Sequence, residues 1–142
     1  MINIKEDKIN DVVIINQKIP EFDHYSKDYF TERIKDSKNI ILVAYINNSP
    51  IGYLIAYDRF KDNSIYCWMA GVDSEHRKQG VLTALMNYLE KWAKNDYNKI
   101  KIKTRNCRRE MLFYLIKNNF MCTKVEPFPD IKDNRIWFEK KI

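Results

Sequence analysis

Ser64–Met86 reads SIYCWMAGVDSEHRKQGVLTALM. Its first nine residues are apolar almost without interruption, the pattern of a central strand covered on both faces. Asp73–Gly80 breaks that run with acids, the cations Arg77 and Lys78, and a glycine. From Val81 the period changes. Val81, Leu82, Leu85, Met86, Leu89, Trp92 and Ala93 fall on one face of a helix that should run to about Asn95. Beyond it, Lys99, Lys101 and Lys103 alternate with Ile100 and Ile102, which predicts a half-exposed strand. Two strands flanking one helix should be parallel neighbours joined by a right-handed crossover. That connection puts the helix N-terminus at the carboxyl end of a strand, a common place for a ligand.

Outward from this unit, Ile40–Ile46 and Ile51–Tyr57 are apolar runs either side of NNSP. They predict a hairpin, with Asn47 and Asn48 suited to the turn. Towards the N-terminus, DVVIIN (Asp11–Asn16) is a β-branched run that reads as a strand broken by Pro20. Tyr25, Tyr29, Phe30 and Ile34 then recur at helical spacing, with Asp23 or Ser26 as cap and an end near Ser37–Asn39. Met111, Leu112, Leu115 and Ile116 mark another helix, stopped at NNF by an Asn able to take the left-handed conformation. MCTKV and RIWFEKKI close the chain as a last pair of strands. The order β, α, β, β, β, α, β, α, β, β is an α/β or α+β pattern around a mixed sheet.

The 142 residues suit one domain, and 45% apolar with 31% charged residues allows a sizeable core. A net charge of +6 favours anionic partners. The basic residues are dispersed, many beside acids, which points to solvated surface and away from nucleic acid. Cys67, Cys107 and Cys122 are far apart, odd in number and remote from His24 and His76, so neither a zinc site nor a disulfide framework is expected. Free thiols suit a reducing compartment, hence the cytoplasm. MINIKEDKIN lacks the apolar core of a signal peptide, and IILVAYI is too short to span a bilayer.

A helix N-terminus offers unpaired N–H groups and partial positive charge, both of which phosphate oxygens satisfy. Gly80 would let the backbone approach a ligand closely, and Arg77 and Lys78 would add charge. No G-K-[ST] and no second glycine are present, so neither a P-loop nor a dinucleotide fingerprint is in place. On these residues alone, a phosphate cradle and a basic strand-to-helix turn both stay open.

Val72–Leu82, VDSEHRKQGVL, resembles motif A of the GNAT superfamily of N-acetyltransferases, usually R/Q-x-x-G-x-G/A. Arg77 and Gly80 match, while Leu82 stands where the family has Gly or Ala. IKIKTRN resembles the family's fifth strand and the Asn after it, here Asn106. MLFYLIKNNF resembles its fourth helix and closing Y-x-x-x-G-F, with Asn119 in place of Gly and Phe120 as the Phe. The resemblance, which extends over nearly the whole chain, implies a mostly antiparallel sheet with one parallel strand pair that splays open to admit acetyl-CoA. Main-chain groups near Ala70 and Val72 would pair with the pantetheine arm like an added strand. The amides of Gln79, Gly80, Val81 and Leu82 would hold the pyrophosphate. The Asn106 amide would either bond the arm or cap a turn. Leu82 should turn into the helix's apolar stripe and leave its amide free. Homodimers are common in the family.

The family transfers acetyl directly from acetyl-CoA to an amine, here expected to be a primary amine of a small molecule or peptide. An alkylammonium with a pKa of ~10.4 must lose a proton before it can attack. A backbone N–H on Met69–Val72 is the candidate oxyanion donor. The family's usual acid, a Tyr five residues before the closing Phe, is replaced by Leu115. Tyr114 is adjacent and is the candidate catalytic acid that remains, although one residue along a helix is a turn of about 100°, which would make it face elsewhere as a core or rim aromatic unless the helix shifts. Glu21, Asp23 and Asp58 read as solvated surface acids, and Cys107 as a structural thiol. Tyr25, Tyr29, Trp68 and Phe128 are candidate liners of the acceptor site. Loss of the usual Tyr and the Leu at motif A also motivate the alternative of a non-catalytic acyl-CoA sensor on the same fold.

Overall fold

A computed structural model describes residues 1–142. The elements run β1 (Asn3–Glu6), α1 (Ile9–Gln17), α2 (Lys27–Ile34), β2 (Asn39–Ile46), β3 (Ser49–Tyr57), β4 (Ser64–Val72), α3 (Val81–Ala93), β5 (Lys99–Arg105), α4 (Arg109–Lys117), β6 (Met121–Glu126) and β7 (Arg135–Lys141). Seven strands form one sheet in the order β1-β2-β3-β4-β5-β7-β6. Every neighbouring pair is antiparallel except β4 and β5, which run parallel around the α3 crossover.

Strand alternation divides the core into two layers. Ile40, Leu42, Ala44, Leu54, Ile65, Cys67, Ile100 and Ile102 point to one face, where α3 and α4 contribute Leu85, Leu89 and Leu115. Complete burial of a leucine such as Leu85 or Leu89 is worth about 1.5–3 kcal/mol relative to exposure. Ile41, Val43, Tyr45, Tyr53, Ile55, Tyr57 and Tyr66 point to the other face, under Val12 and Ile15 of α1 and Phe30 and Ile34 of α2. Asn47 and Asn48 close the β2–β3 hairpin with φ of 51° and 66°. Two successive left-handed residues match the twist of the flanking strands, and Asn tolerates that region.

DVVIIN is helical, not a strand, and β1 is the short NIKE segment before it. The helix wins because Val12, Ile15, Asn16 and Ile19 fall at i, i+3, i+4 and i+7 and are fully buried against the sheet. Burial of that stripe overrides β-branched propensity, which is small by comparison. Ser26 caps α2 by accepting from the Tyr29 N–H at 3.2 Å, and the helix ends at Ile34, earlier than Ser37.

Buried Asn16 ties the α1–α2 connection to the sheet. Its side-chain NH₂ donates to the Tyr53 hydroxyl at 3.1 Å and the Asp23 carbonyl at 3.2 Å, and its oxygen accepts from the Tyr25 N–H at 3.1 Å. In β4, Ile55 faces Met69 and Ala56 faces Cys67, so Trp68 is an extra residue without an opposite number. Such a bulge turns Trp68 and Met69 to the same α1/α2 face.

Candidate active site

Strands β4 and β5 pair from Ser64↔Lys99 to Cys67↔Ile102 and no further. Each keeps its other neighbour beyond that point, as Gly52↔Val72 and Arg105↔Arg135 show. The sheet therefore opens, and the main chain of Met69–Val72 has no strand on that side. Into the opening falls a cleft of about 530 Å³ between the end of β4, the start of α3 and the first turns of α4.

Ala70, Gly71 and Val72 form one wall. A Cβ on Gly71 would stand 2.7 Å from both Ile19 Cδ1 and Phe22 Cε2, so a side chain there would push Ile19 and Phe22 away from β4. The start of α3 forms the second wall. Gly80 is its N-cap with φ of 84°, a left-handed conformation that costs an L-residue about 1–2 kcal/mol. A Cβ built on Gly80 meets nothing within 4 Å. The left-handed backbone there thus favours glycine, while the open space before it leaves room for a ligand. The amides of Gly80, Val81, Leu82 and Thr83 find no acceptor within the protein. They face a cleft that also holds His76, Arg77, Lys78, Arg108 and Arg109 against Glu21 and Glu110. Unpaired helix-terminal amides beside cations are the donor set that phosphate oxygens take.

Val81 is buried, with 2% of its surface exposed. Leu82 packs against the α3/α4 core layer and also lines the cleft. Its side chain is therefore half turned inward, with one edge left on the wall. Gln79 is exposed and its side chain does not line the cleft. Arg77 is already engaged: Nε donates to the Val72 carbonyl at 3.2 Å and a terminal nitrogen lies 2.5 Å from Glu21 Oε1. Arg108, beyond β5, donates to the Glu21 carbonyl at 2.5 Å and lies over the Phe22 ring. Glu21 is thus no isolated surface acid; it bridges the two parted strands at the cleft mouth. Asn106 lies outside the cleft lining, and its side chain donates to the Ile131 carbonyl at 3.2 Å.

Tyr114, the candidate acid, does not face elsewhere as the 100° step along the helix suggests. It lines the cleft, while Leu115 is fully buried in the core. The helix ends in a Schellman cap, with the Phe120 N–H bonded to the Leu115 carbonyl at 3.0 Å and Asn119 left-handed at φ 70°. Burial pushes the Tyr114 phenol up to about 12, with smaller contributions from Cys67 and Glu90, so it stays protonated through the neutral range. Cys107 is also corrected: it is exposed and lines the cleft, and Cys67 is the buried thiol, pushed up to about 12 by burial. His76 was not singled out by its sequence context. Its Nδ1 is shielded without a hydrogen-bond partner, 3.7 Å from Asp73 Oδ2.

On the opposite, α1/α2 face stand the aromatic liners. Tyr25 and Tyr29 stack at 4.1 Å, and Trp68 lies 6.4 Å from Tyr25 and 6.1 Å from Tyr29. Phe128 is partly exposed and carries the Arg135 guanidinium over its ring at 4.3 Å.

Comparison with known proteins places these features. The family model described as acetyltransferase (GNAT) family matches residues 10–115. An N-alpha-acetyltransferase of Saccharolobus solfataricus is 27% identical over 136 residues, spanning 87% of this chain and 80% of the relative. The ribosomal-protein-S18-alanine N-acetyltransferase of Escherichia coli shares the fold, with a TM-score of 0.83, 16% identity, and 100% and 94% of the two chains covered. An acetyltransferase structure from Bacillus anthracis in complex with acetyl coenzyme A superposes with a TM-score of 0.70 at 21% identity, over 80% of this chain and 68% of that one.

Proposed function

The chain belongs to the GNAT family of acetyltransferases and is an acetyl-CoA-dependent N-acetyltransferase, and from that premise we propose how its one domain divides the work. The cleft between β4 and β5 takes the cosubstrate from the α3/α4 side, and a primary amine of a small molecule or peptide enters from the α1/α2 face. The observation that carries this reading is the end of β4–β5 pairing at Cys67↔Ile102, directly beside the unpartnered amides that open α3.

Bound acetyl-CoA supplies an acetyl group activated as a thioester. The Gly80, Val81, Leu82 and Thr83 amides, with Arg77 and Lys78, hold its phosphates. Ala70 and Val72 offer main-chain hydrogen bonds to its arm, and Asn106 acts one step away by tethering the Ile131 turn. An N–H of Met69–Val72 stabilises negative charge on the acetyl oxygen. As the amine nitrogen bonds to the acetyl carbon and the carbon–sulfur bond breaks, the Tyr114 hydroxyl donates its proton to the leaving sulfur and regains one from water. The amine's own proton passes to water. The N-alpha-acetyltransferase relative supports a peptide α-amine among the acceptors.

Three free thiols support a cytoplasmic setting. No helix is long and apolar enough to cross a membrane. Family resemblance supports a homodimer, which light scattering would decide. The reading is tested by thermal unfolding with acetyl-CoA and by release of the free CoA thiol with a panel of amines. A melting shift and amine-dependent thiol release are expected; neither appearing would remove it.

A further inference from the structure

Strand β5 presents Lys99, Lys101 and Lys103 to the α1/α2 face. The first two are neutralised: Lys99 Nζ lies 2.8 Å from Glu139 and Lys101 Nζ lies 2.7 Å from Asp62. Lys103 has no acidic partner, and it is the first β5 residue past the last β4–β5 pair. Its Nζ lies over the Trp137 ring at 5.1 Å. Three guanidinium groups border the same aromatic cluster, and Arg59 shares the Trp137 ring with Lys103, at 6.0 Å from its centroid. Arg33 lies over Trp68 at 4.4 Å and donates to the Tyr57 hydroxyl, Arg59 lies over Tyr66 at 4.9 Å, and Arg135 lies over Phe128 at 4.3 Å.

None of these four cations belongs to an ion pair anywhere in the protein. The acid that opposes them at Lys103 is Glu126, itself accepting from the Trp137 indole N–H. Four cations without an ion-pair partner, with aromatic rings beside them, leave positive charge unbalanced at the fork of the sheet. The Lys103 ammonium registers it: burial first, then Arg59, Arg135 and Arg33, hold its pKa below the usual lysine value against the opposing pull of Glu126. A like-charged cluster of this kind is relieved by a bound anion.

Resting on the acetyl-transfer reading above, we propose that the acceptor amine carries an anionic group, a carboxylate or a phosphate, which docks on Arg33, Arg59, Lys103 and Arg135. The amine itself then points through the fork towards Ala70 and Tyr114. Arginine grips such oxygens with paired donors, and the stacked rings hold the guanidinium planes in place for them.

Matched acceptors test this. Peptides with Asp or Glu in the second or third position are compared with their Asn or Gln counterparts. Free amino acids are compared with their amides, and O-phosphoethanolamine with ethanolamine. The anionic member of a pair should have a kcat/KM about tenfold higher or more, and the responding series tells peptide from small molecule. The ratio should collapse in the Arg59→Gln/Lys103→Gln variant. Inorganic phosphate alone should also change the fluorescence of Trp68 and Trp137 saturably in wild type and not in that variant. Equal use of neutral and anionic acceptors in every series overturns the proposal while leaving acetyl transfer intact, as does a ratio that survives in the variant. If no acceptor turns over, absence of the variant-sensitive fluorescence change overturns it. Failure of acetyl-CoA to shift the melting temperature is instead a failure of the underlying reading.

Discussion

Arg77 and Glu21 meet across the mouth of the cleft, with a guanidinium nitrogen 2.5 Å from Oε1. Glu21 thereby holds, with one carboxylate, a cation that the cosubstrate's phosphates would use. Replacing Glu21 with Gln should release Arg77 and tighten acetyl-CoA binding. Both side chains are about one-third exposed, so the gain is modest, on the order of two- to fivefold in Kd by calorimetry. Weaker binding would mean that Glu21 orders Arg77 for the ligand and does not compete with it.

Tyr114→Phe keeps the ring and removes the proton donor. kcat should fall by about 10² or more, with acetyl-CoA affinity little changed. The pH dependence has a defined sign. The acid form is the working form, so activity that depends on it is lost as pH rises through its pKa. That pKa is pushed up to about 12, and the basic limb of kcat attributable to this group should lie near there, above the ordinary phenol value of about 10. Unchanged kcat in the Phe variant would remove Tyr114 from the reaction.

Gly80 separates backbone conformation from ligand access. Gly80→Ala should cost about 1–2 kcal/mol of stability, because the left-handed φ of 84° strains an L-residue. Gly80→Asn should cost less, since Asn tolerates that region, yet its side chain enters the space that is empty in the fold. Both variants should bind acetyl-CoA at least about tenfold more weakly, a loss of 1.4 kcal/mol. An Asn variant that binds like wild type would contradict the cradle.

Asn16→Ala should destabilise the chain by about 1–3 kcal/mol, because it strands the Tyr53 hydroxyl, the Tyr25 N–H and the Asp23 carbonyl in a partly buried setting. Chemical denaturation measures the loss. The same change loosens the connection that carries Tyr25, so KM for the acceptor should rise more than Kd for acetyl-CoA. A proportional rise in both would assign Asn16 a purely global role.

Much of this was legible because periods change where elements change. The alternation of Lys99–Lys103 and the stripe from Val81 to Ala93 fixed a parallel crossover, and the β2–β3 hairpin followed from two asparagines between apolar runs. Helix α1 was hidden because four consecutive residues at its centre, Val12–Ile15, favour strand, while Ile19, which completes the helical stripe, lies outside them. Tyr114 could not be placed from a step of about 100° alone, because the cleft takes Met111, Phe113 and Tyr114 from the same helix. Glu21 and the cation cluster could not be read locally. Arg33, Arg59, Lys103 and Arg135 come from separate parts of the chain, and only the fold shows which lysines of β5 have acidic partners.

The central claim is that acetyl-CoA lies in the parted β4–β5 cleft against the start of α3. Amide hydrogen exchange with and without saturating acetyl-CoA reads this directly. Slowed exchange concentrated in Met69–Val72 and Gln79–Thr83 is the predicted result. Binding without protection of either segment would contradict it.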